Sequence, residues 1–304
     1  MPYTTNSAAN ISGLVDAINT FLSANGWTVL NTYADGPGGV GKHGIAVTDG
    51  AAGYFEIWCD AMLLYVAGSV SYTNTVALNA QPNQSDIGVG TQATFSANGP
   101  VLAYWLFAPN ATDLYIVIRV ATGVYTHLHF GTLAKYGTYT GGQWGTRSYW
   151  DNGINTYDYG QRDSGNYIAP YDYGGSNWGT YSGFVGAQVD GHTWWSLGPP
   201  LHGGSIYLPA YSIVRGDGRK ITDRSPNAFN QEAVFANLPM FVLRPTGLWT
   251  PVGEVKDCRS VNIHNYNSED IITIGTDNWQ VFPLISKLLT TRSSQDEGLA
   301  IRRA

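Results

Sequence analysis

Charge is scarce in this chain. Only 16 Lys and Arg and 22 Asp and Glu occur among 304 residues, roughly half the ~25% charged share of an ordinary soluble domain. Hydrophobic residues make up 43% of the sequence, so the scarcity does not signal disorder, which pairs low hydrophobicity with high net charge. The basic residues are few and scattered, and the net charge is −6. A surface built to neutralise phosphates is therefore not expected, and neither is direct contact with nucleic acid. Long apolar runs are missing as well: the longest, at 101–107 and 114–118, fall far short of the ~20 residues that a membrane-spanning helix needs. Cysteine is limited to Cys59 and Cys258. The opening residues MPYTTNSAAN carry neither a basic start nor an apolar core, so folding in a cytoplasm and two buried, reduced thiols are expected rather than one bridge.

What is abundant is glycine, 37 residues, and aromatic side chains, 13%. One segment has helical periodicity: Ile11, Leu14, Val15, Ile18, Phe21 and Leu22 recur at steps of three and four over 10–25, and Asn25-Gly26 stops the pattern. After Trp27 the period becomes two. Leu114, Ile116, Ile118 and Val120 alternate with Tyr115, Val117, Arg119 and Ala121; past the turn Thr122-Gly123, Val124, Thr126, Leu128 and Phe130 alternate with Tyr125, His127 and His129. Residues 113–131 thus form a predicted hairpin. Further short strands are expected at 54–59, 62–66, 102–107, 184–189, 234–243, 260–263, 271–274 and 279–282, separated by Gly, Pro, Asn or Asp. With no second strong helix to cover a parallel sheet, the expected class is mainly β: an antiparallel sandwich or barrel-like body with one N-terminal amphipathic helix.

Residues 139–184 stand apart, with almost no Leu, Ile or Val and a high density of Gly, Tyr, Trp, Asn and Asp. Such a stretch cannot build a core alone, and aromatics in this number must pack on the body or on a partner. It reads as an arm or insertion between an N-terminal helix-plus-β part, 1–138, and a C-terminal β-rich part, 185–304. Its aromatic residues are the candidate interface: Trp144, Tyr149, Trp150, Tyr157, Tyr159, Tyr167, Tyr171, Tyr173, Trp178 and Tyr181.

No pattern points to catalysis. His127 and His129 share one strand face and can supply two ligands to a metal, but the third, from Cys59, His43 or His192, is not demanded by any spacing. Polar stacking on the less buried face of the hairpin is the expected role. Asp190, Asp217 and Asp223 lie in turn-like sequence, and no carboxylate pair suited to glycoside hydrolysis stands out. Ser71 and Ser205 lack the G-x-S-x-G setting of a hydrolase nucleophile. The glycine-rich run 36–41 before Lys42 places His43 where a phosphate-binding loop needs Ser or Thr, and Arg215-Gly216-Asp217 reads as a turn. No catalytic residue, cofactor or metal is expected.

Three blocks carry a resemblance. The amphipathic helix ending in Ala24-Asn25-Gly26-Trp27, the block YTHLHFGTLAKYGTYTGGQW from Tyr125 to Trp144, and the segment PVGEVKDCRSVNIHNYNSEDIITIGTDNWQVFP from Pro251 to Pro283 together resemble tailed-bacteriophage virion structural proteins. The blocks cover about a quarter of the chain, and none is catalytic. The resemblance implies a non-enzymatic protein present in multiple copies in the virion, assembled in the host cytoplasm, in the tail or baseplate. Its implied partners are other copies of itself and other virion proteins. A capsid decoration or collar protein is one alternative. The other is a host-glycan-binding adhesion protein or carbohydrate-binding module, since Tyr, Trp and Asn also stack on and hydrogen-bond sugars.

Overall fold

The structure, a computed structural model, describes residues 2–33, 43–49, 53–59, 64–82, 84, 88–90, 100–147, 149–150, 167–168, 185–189, 193–196, 205–207, 232–243, 249–284, 287 and 297–303. Strand β1 (Tyr3–Ala8) leads into helix α1 (Ile11–Ala24), followed by β2 (Thr28–Tyr33), β3 (His43–Thr48), β4 (Tyr54–Cys59), β5 (Leu64–Ser69) and β6 (Gly88–Gly90). Next come β7 (Val101–Phe107), β8 (Leu114–Ala121), β9 (Val124–Thr132), β10 (Ala134–Lys135), β11 (Gly141–Arg147), β12 (Tyr149–Trp150) and β13 (Tyr167–Ile168). The remaining strands are β14 (Val185–Val189), β15 (Thr193–Ser196), β16 (Ser205–Tyr207), β17 (Phe235–Leu243), β18 (Trp249–Asn262), β19 (Ile271–Ile274), β20 (Asp277–Pro283) and β21 (Glu297–Arg302). The fold is mainly β with antiparallel sheets and one α-helix near the N-terminus, as the sequence leads one to expect.

The helix is closed at both ends by its own sequence. Asn10, in extended backbone, accepts the Gly13 N–H at 2.8 Å, which satisfies one of the donors left unpaired in a first turn. At the other end Gly26 adopts φ +88°, and the Trp27 N–H reaches back to the Leu22 carbonyl at 3.2 Å. This backbone reversal favours glycine. It also delivers the Trp27 ring edge-on to Phe55 and Phe130, with centroids 6.0 and 5.7 Å away.

The sheets stack in layers. A central sheet runs β1-β7-β8-β9-β11-β14-β15; a five-stranded sheet runs β2-β3-β4-β5-β6; a C-terminal sheet runs β16-β17-β18-β21-β20-β19, with β10 pairing to β18. Alternation along β7, β8 and β9 sends one set of side chains, including Leu106, Leu114, Ile116, Ile118, Leu128 and Phe130, into a cluster with α1 and the inner face of the five-stranded sheet. The other set, including Trp105, Phe107, Tyr115, Val117 and Tyr125, packs with Leu238, Met240, Val255, Phe282, Leu299 and Ile301 of the C-terminal sheet. A strand covered on both faces needs apolar or satisfied residues at every position, which is why β8 and β9 contain so few exposed residues.

One expectation is corrected. The two histidines do not lie on a less buried face: His127 and His129 are fully buried, because the C-terminal sheet covers that side. The boundary at 138/139 cuts through the central sheet, since β11 pairs with β9 and β14 in one ladder. The parts 1–138 and 185–304 meet in a shared core, because each leaves an apolar sheet face that only the other covers.

Candidate functional site

The aromatic candidates of 139–184 separate into three groups. Trp144 is fully buried in the chain's own core, beside Tyr115 at 6.1 Å between centroids, so it is not an anchor for a neighbour. Its register partner on β9 is Gly131, where the missing side chain makes room for the Asp113 carboxylate. A Cβ on Gly131 would sit 2.2 Å from the Asp113 Oδ1. Tyr149 and Trp150 pair with Ile168 and Tyr167 in the small β12-β13 ladder. Tyr157, Tyr159, Tyr171, Tyr173, Trp178 and Tyr181 lie outside the described residues, as do His192 and the segments containing Asp190, Asp217, Asp223 and Arg215-Gly216-Asp217.

The layer between the central and C-terminal sheets is dense in polar tips. The His127 Nε2–H donates to the Pro283 carbonyl at 2.9 Å; a carbonyl only accepts, which fixes the tautomer. The His127 and His129 rings meet edge-on at 5.4 Å, and Tyr115 lies 5.2 Å from His129. Burial pushes His127 down to about 4, opposed by the Pro283 bond, while burial and the neighbouring His127 push His129 well below the usual histidine range. Both imidazoles are therefore neutral near pH 7. Tyr115 donates to the Lys256 carbonyl. Tyr125 and Arg119 both donate to Glu269 Oε1, at 2.6 and 2.9 Å, and Lys256 Nζ pairs with the buried Asp113 at 2.8 Å. Burial raises Asp113 although Lys256 opposes the rise. Each of these bonds links β8, β9 or the turn before β8 to the C-terminal sheet or its 263–270 connection, so this chemistry is a structural seam.

The ligand set considered from sequence does not assemble. His43 and Cys59 are on the five-stranded sheet, across the central sheet from the histidine pair. Among the described residues no group of three or more His, Cys, Asp or Glu side chains is placed to hold a metal ion.

Sequence reasoning passed over Glu56. It sits in mid-β4 on the outer face of the five-stranded sheet, fully buried, and accepts from the Ser69 hydroxyl at 2.7 Å and the Gln84 amide at 3.2 Å. Burial outweighs these bonds and pushes its carboxyl up to about 8. Around it stand Trp58, stacked on Tyr65 at 5.1 Å, and Tyr33, whose hydroxyl meets that of Tyr72 at 2.7 Å. The segment over this face is stapled by Gln81, whose amide nitrogen donates to the Thr73, Val76 and Ala77 carbonyls. A single acid inside the apolar run YFEIWC was the available signal, since an unpaired carboxylate is not tolerated there.

Some exposed apolar side chains lie on marginal strands; others, such as Leu102 on β7, do not. Strand β19 ends the C-terminal sheet, and its Ile271 and Ile274 are 50% and 45% exposed. Leu30 on the marginal strand β2 is also exposed. No helix among the described residues is long and apolar enough to cross a membrane. The chain matches no protein-family model, and no curated protein is detectably similar to it.

Proposed function

We infer that this chain is a structural subunit of a tailed-bacteriophage particle, placed in the tail or baseplate and acting through contacts with copies of itself and with other virion proteins. The observation that carries the reading is where its three family-like blocks fall. The helix block, the Tyr125–Trp144 block and the Pro251–Pro283 block form α1, β9 to β11, and β18 to β20, which lie in adjoining layers of one body. The likeness is thus to a scaffold rather than to a surface motif. Uncharged apolar margins at β19 and β2 support it: an edge carrying exposed Ile and no Lys offers main-chain and apolar contact to another chain. The function has no catalytic step.

Mass spectrometry and immunogold labelling of purified particles test this reading. Stoichiometric presence in the tail is expected. Labelling confined to the capsid or collar would move the station, and absence from mature virions would overturn the proposal. The half-buried tyrosines Tyr33, Tyr65 and Tyr72 on the outer face of the five-stranded sheet favour host-glycan binding as the second reading, because tyrosine rings stack on sugars. Retention of the purified protein on immobilised host glycans, lost on Tyr65→Ala, is its separate test.

A further inference from the structure

Four side chains with the chemistry of an activated nucleophile, paired as His43–Asp16 and Ser12–Cys59, lie where α1 crosses the ends of β3 and β4. His43 and Cys59 are direct cross-strand partners, so their side chains leave the sheet on the same face; that face packs against α1. His43 Nε2 is 2.6 Å from the Asp16 carboxylate on the helix, which leaves the ring's Nδ1 edge nearer the strand. Ser12, one helical turn before Asp16, places its hydroxyl 3.7 Å from the Cys59 sulfur. Ser12 also lies in the first turn of a 14-residue helix, and helix N-termini and adjacent imidazolium groups both stabilise thiolates. The site is stepped: Asp16 and His43 side chains are 65% and 23% exposed, and Cys59 lies beneath them at 1%.

We propose that Cys59 is a reactive thiol, with His43 as its proton acceptor, Asp16 as the group that orients the imidazole, and Ser12 as a hydroxyl contact to the sulfur. Its substrates are small disulfides that reach it past the rim formed by Ser12 and His43. In the reaction the Cys59 proton passes to His43 and the thiolate attacks one sulfur of the disulfide. A mixed disulfide forms on Cys59 as the original S–S bond breaks, and the departing thiolate takes the proton back from His43. Atoms and electrons balance without an outside oxidant, because the small disulfide is itself the oxidant. The inference is independent of where the protein sits in a particle.

The molecule contains its own reference, since Cys258 is fully buried between the central and C-terminal sheets. The test is the rate at which the native full-length chain releases thiopyridone from dithiodipyridine, followed with peptide mapping across pH. One equivalent is expected to react at Cys59 at least about tenfold faster than at Cys258, as reactive and inert buried thiols differ. Cys59→Ser should abolish the fast phase and Cys258→Ser should leave it. Asp16→Asn, at an exposed position, should slow the fast phase several-fold and shift its pH profile upward, with circular dichroism and the Cys258 rate unchanged; His43→Gln should do so more strongly. Equal, slow reaction of both thiols would overturn the proposal. So would a fast phase whose rate and pH profile ignore both Asp16→Asn and His43→Gln.

Discussion

Toward α1 and the five-stranded sheet, the central strands present Leu106, Leu114, Ile116, Ile118, Leu128 and Phe130; toward the C-terminal sheet, the alternating positions present Trp105, Phe107, Tyr115, Tyr125, His127 and His129. The first face is mostly aliphatic and closes on the helix and the five-stranded sheet. The second is aromatic and imidazole-rich, and its polar tips end on particular acceptors: the Lys256 and Pro283 carbonyls and the Glu269 carboxylate. Aliphatic packing depends on volume and tolerates exchange of like for like. A buried hydrogen-bonded layer demands one register, because a slip leaves donors and acceptors unpaired. The aromatic face therefore sets how the two halves of the chain meet, while the aliphatic face mainly supplies burial.

The largest effect is expected at Trp144, on the strand beside β9 in the central sheet. Trp144→Ala should cost about 3–5 kcal/mol in urea unfolding, as for other buried Trp and Phe truncations. If Trp144 instead served only a neighbouring subunit, the isolated chain would lose almost nothing. Gly131→Ala should cost about 1–3 kcal/mol by overpacking against Asp113, measured in the same way; a neutral result would mean that Asp113 and Lys256 move apart freely.

Titration separates the histidine layer from the outer face of the five-stranded sheet by sign. In the histidine layer the folded state holds fewer protons than the unfolded state between the ordinary histidine pKa, 6.5, and the folded value of about 4 for His127. Its contribution is present above that window and lost as pH falls through it, by up to about 1.4 kcal/mol per pH unit for each histidine. Glu56 behaves oppositely: folded, it holds a proton between 4.5 and about 8, so its contribution is present at low pH and lost as pH rises. Unfolding free energies measured across pH should show the acid limb shrink in His127→Gln and the alkaline limb shrink in Glu56→Gln. If both variants change the same limb, the assignment of the limbs to these regions fails. The smallest effect belongs to the sheet margin. Ile274→Lys should alter the stability of the isolated chain by less than about 0.5 kcal/mol while reducing incorporation into particles; a large loss of stability would show that β19 is covered within the chain itself.

Much of the architecture was legible because it is local. The helix appears with its capping Asn10 and terminating Gly26, and the predicted strands at 54–59 and 271–274 coincide with β4 and β19. Among the strands not anticipated were β1, β3 and β21, of which YTTNSA and EGLAIR carry no clear alternation. Those strands are defined by partners far away in sequence: β1 lies on β7, and β21 between β18 and β20. The misreading of Trp144 has the same origin. GGQWGTR has the composition of a loop, and it becomes a strand because β9 and β14 supply hydrogen bonds on both sides.

The candidate chemistry divides along the same line. The spacing of His127 and His129 alone placed them on one face of a strand, since side chains in a strand alternate with period two. Whether that face meets water or another sheet depends on residues more than 150 positions later, at Pro283, and no local pattern contains that information. Likewise Asp16, His43 and Cys59 are unrelated in the sequence: Asp16 falls in the predicted helix and Cys59 in a predicted strand, while His43 only follows a glycine-rich run. Only the antiparallel register of β3 with β4, and the way α1 lies across them, sets His43 opposite Cys59 and brings its imidazole to the Asp16 carboxylate. Composition and periodicity determined the helix, many of the strands and the mainly β class, because these follow from backbone preference and near-neighbour burial. The pairing of distant segments decided which faces became core, which polar groups had to be satisfied and which side chains could react with one another.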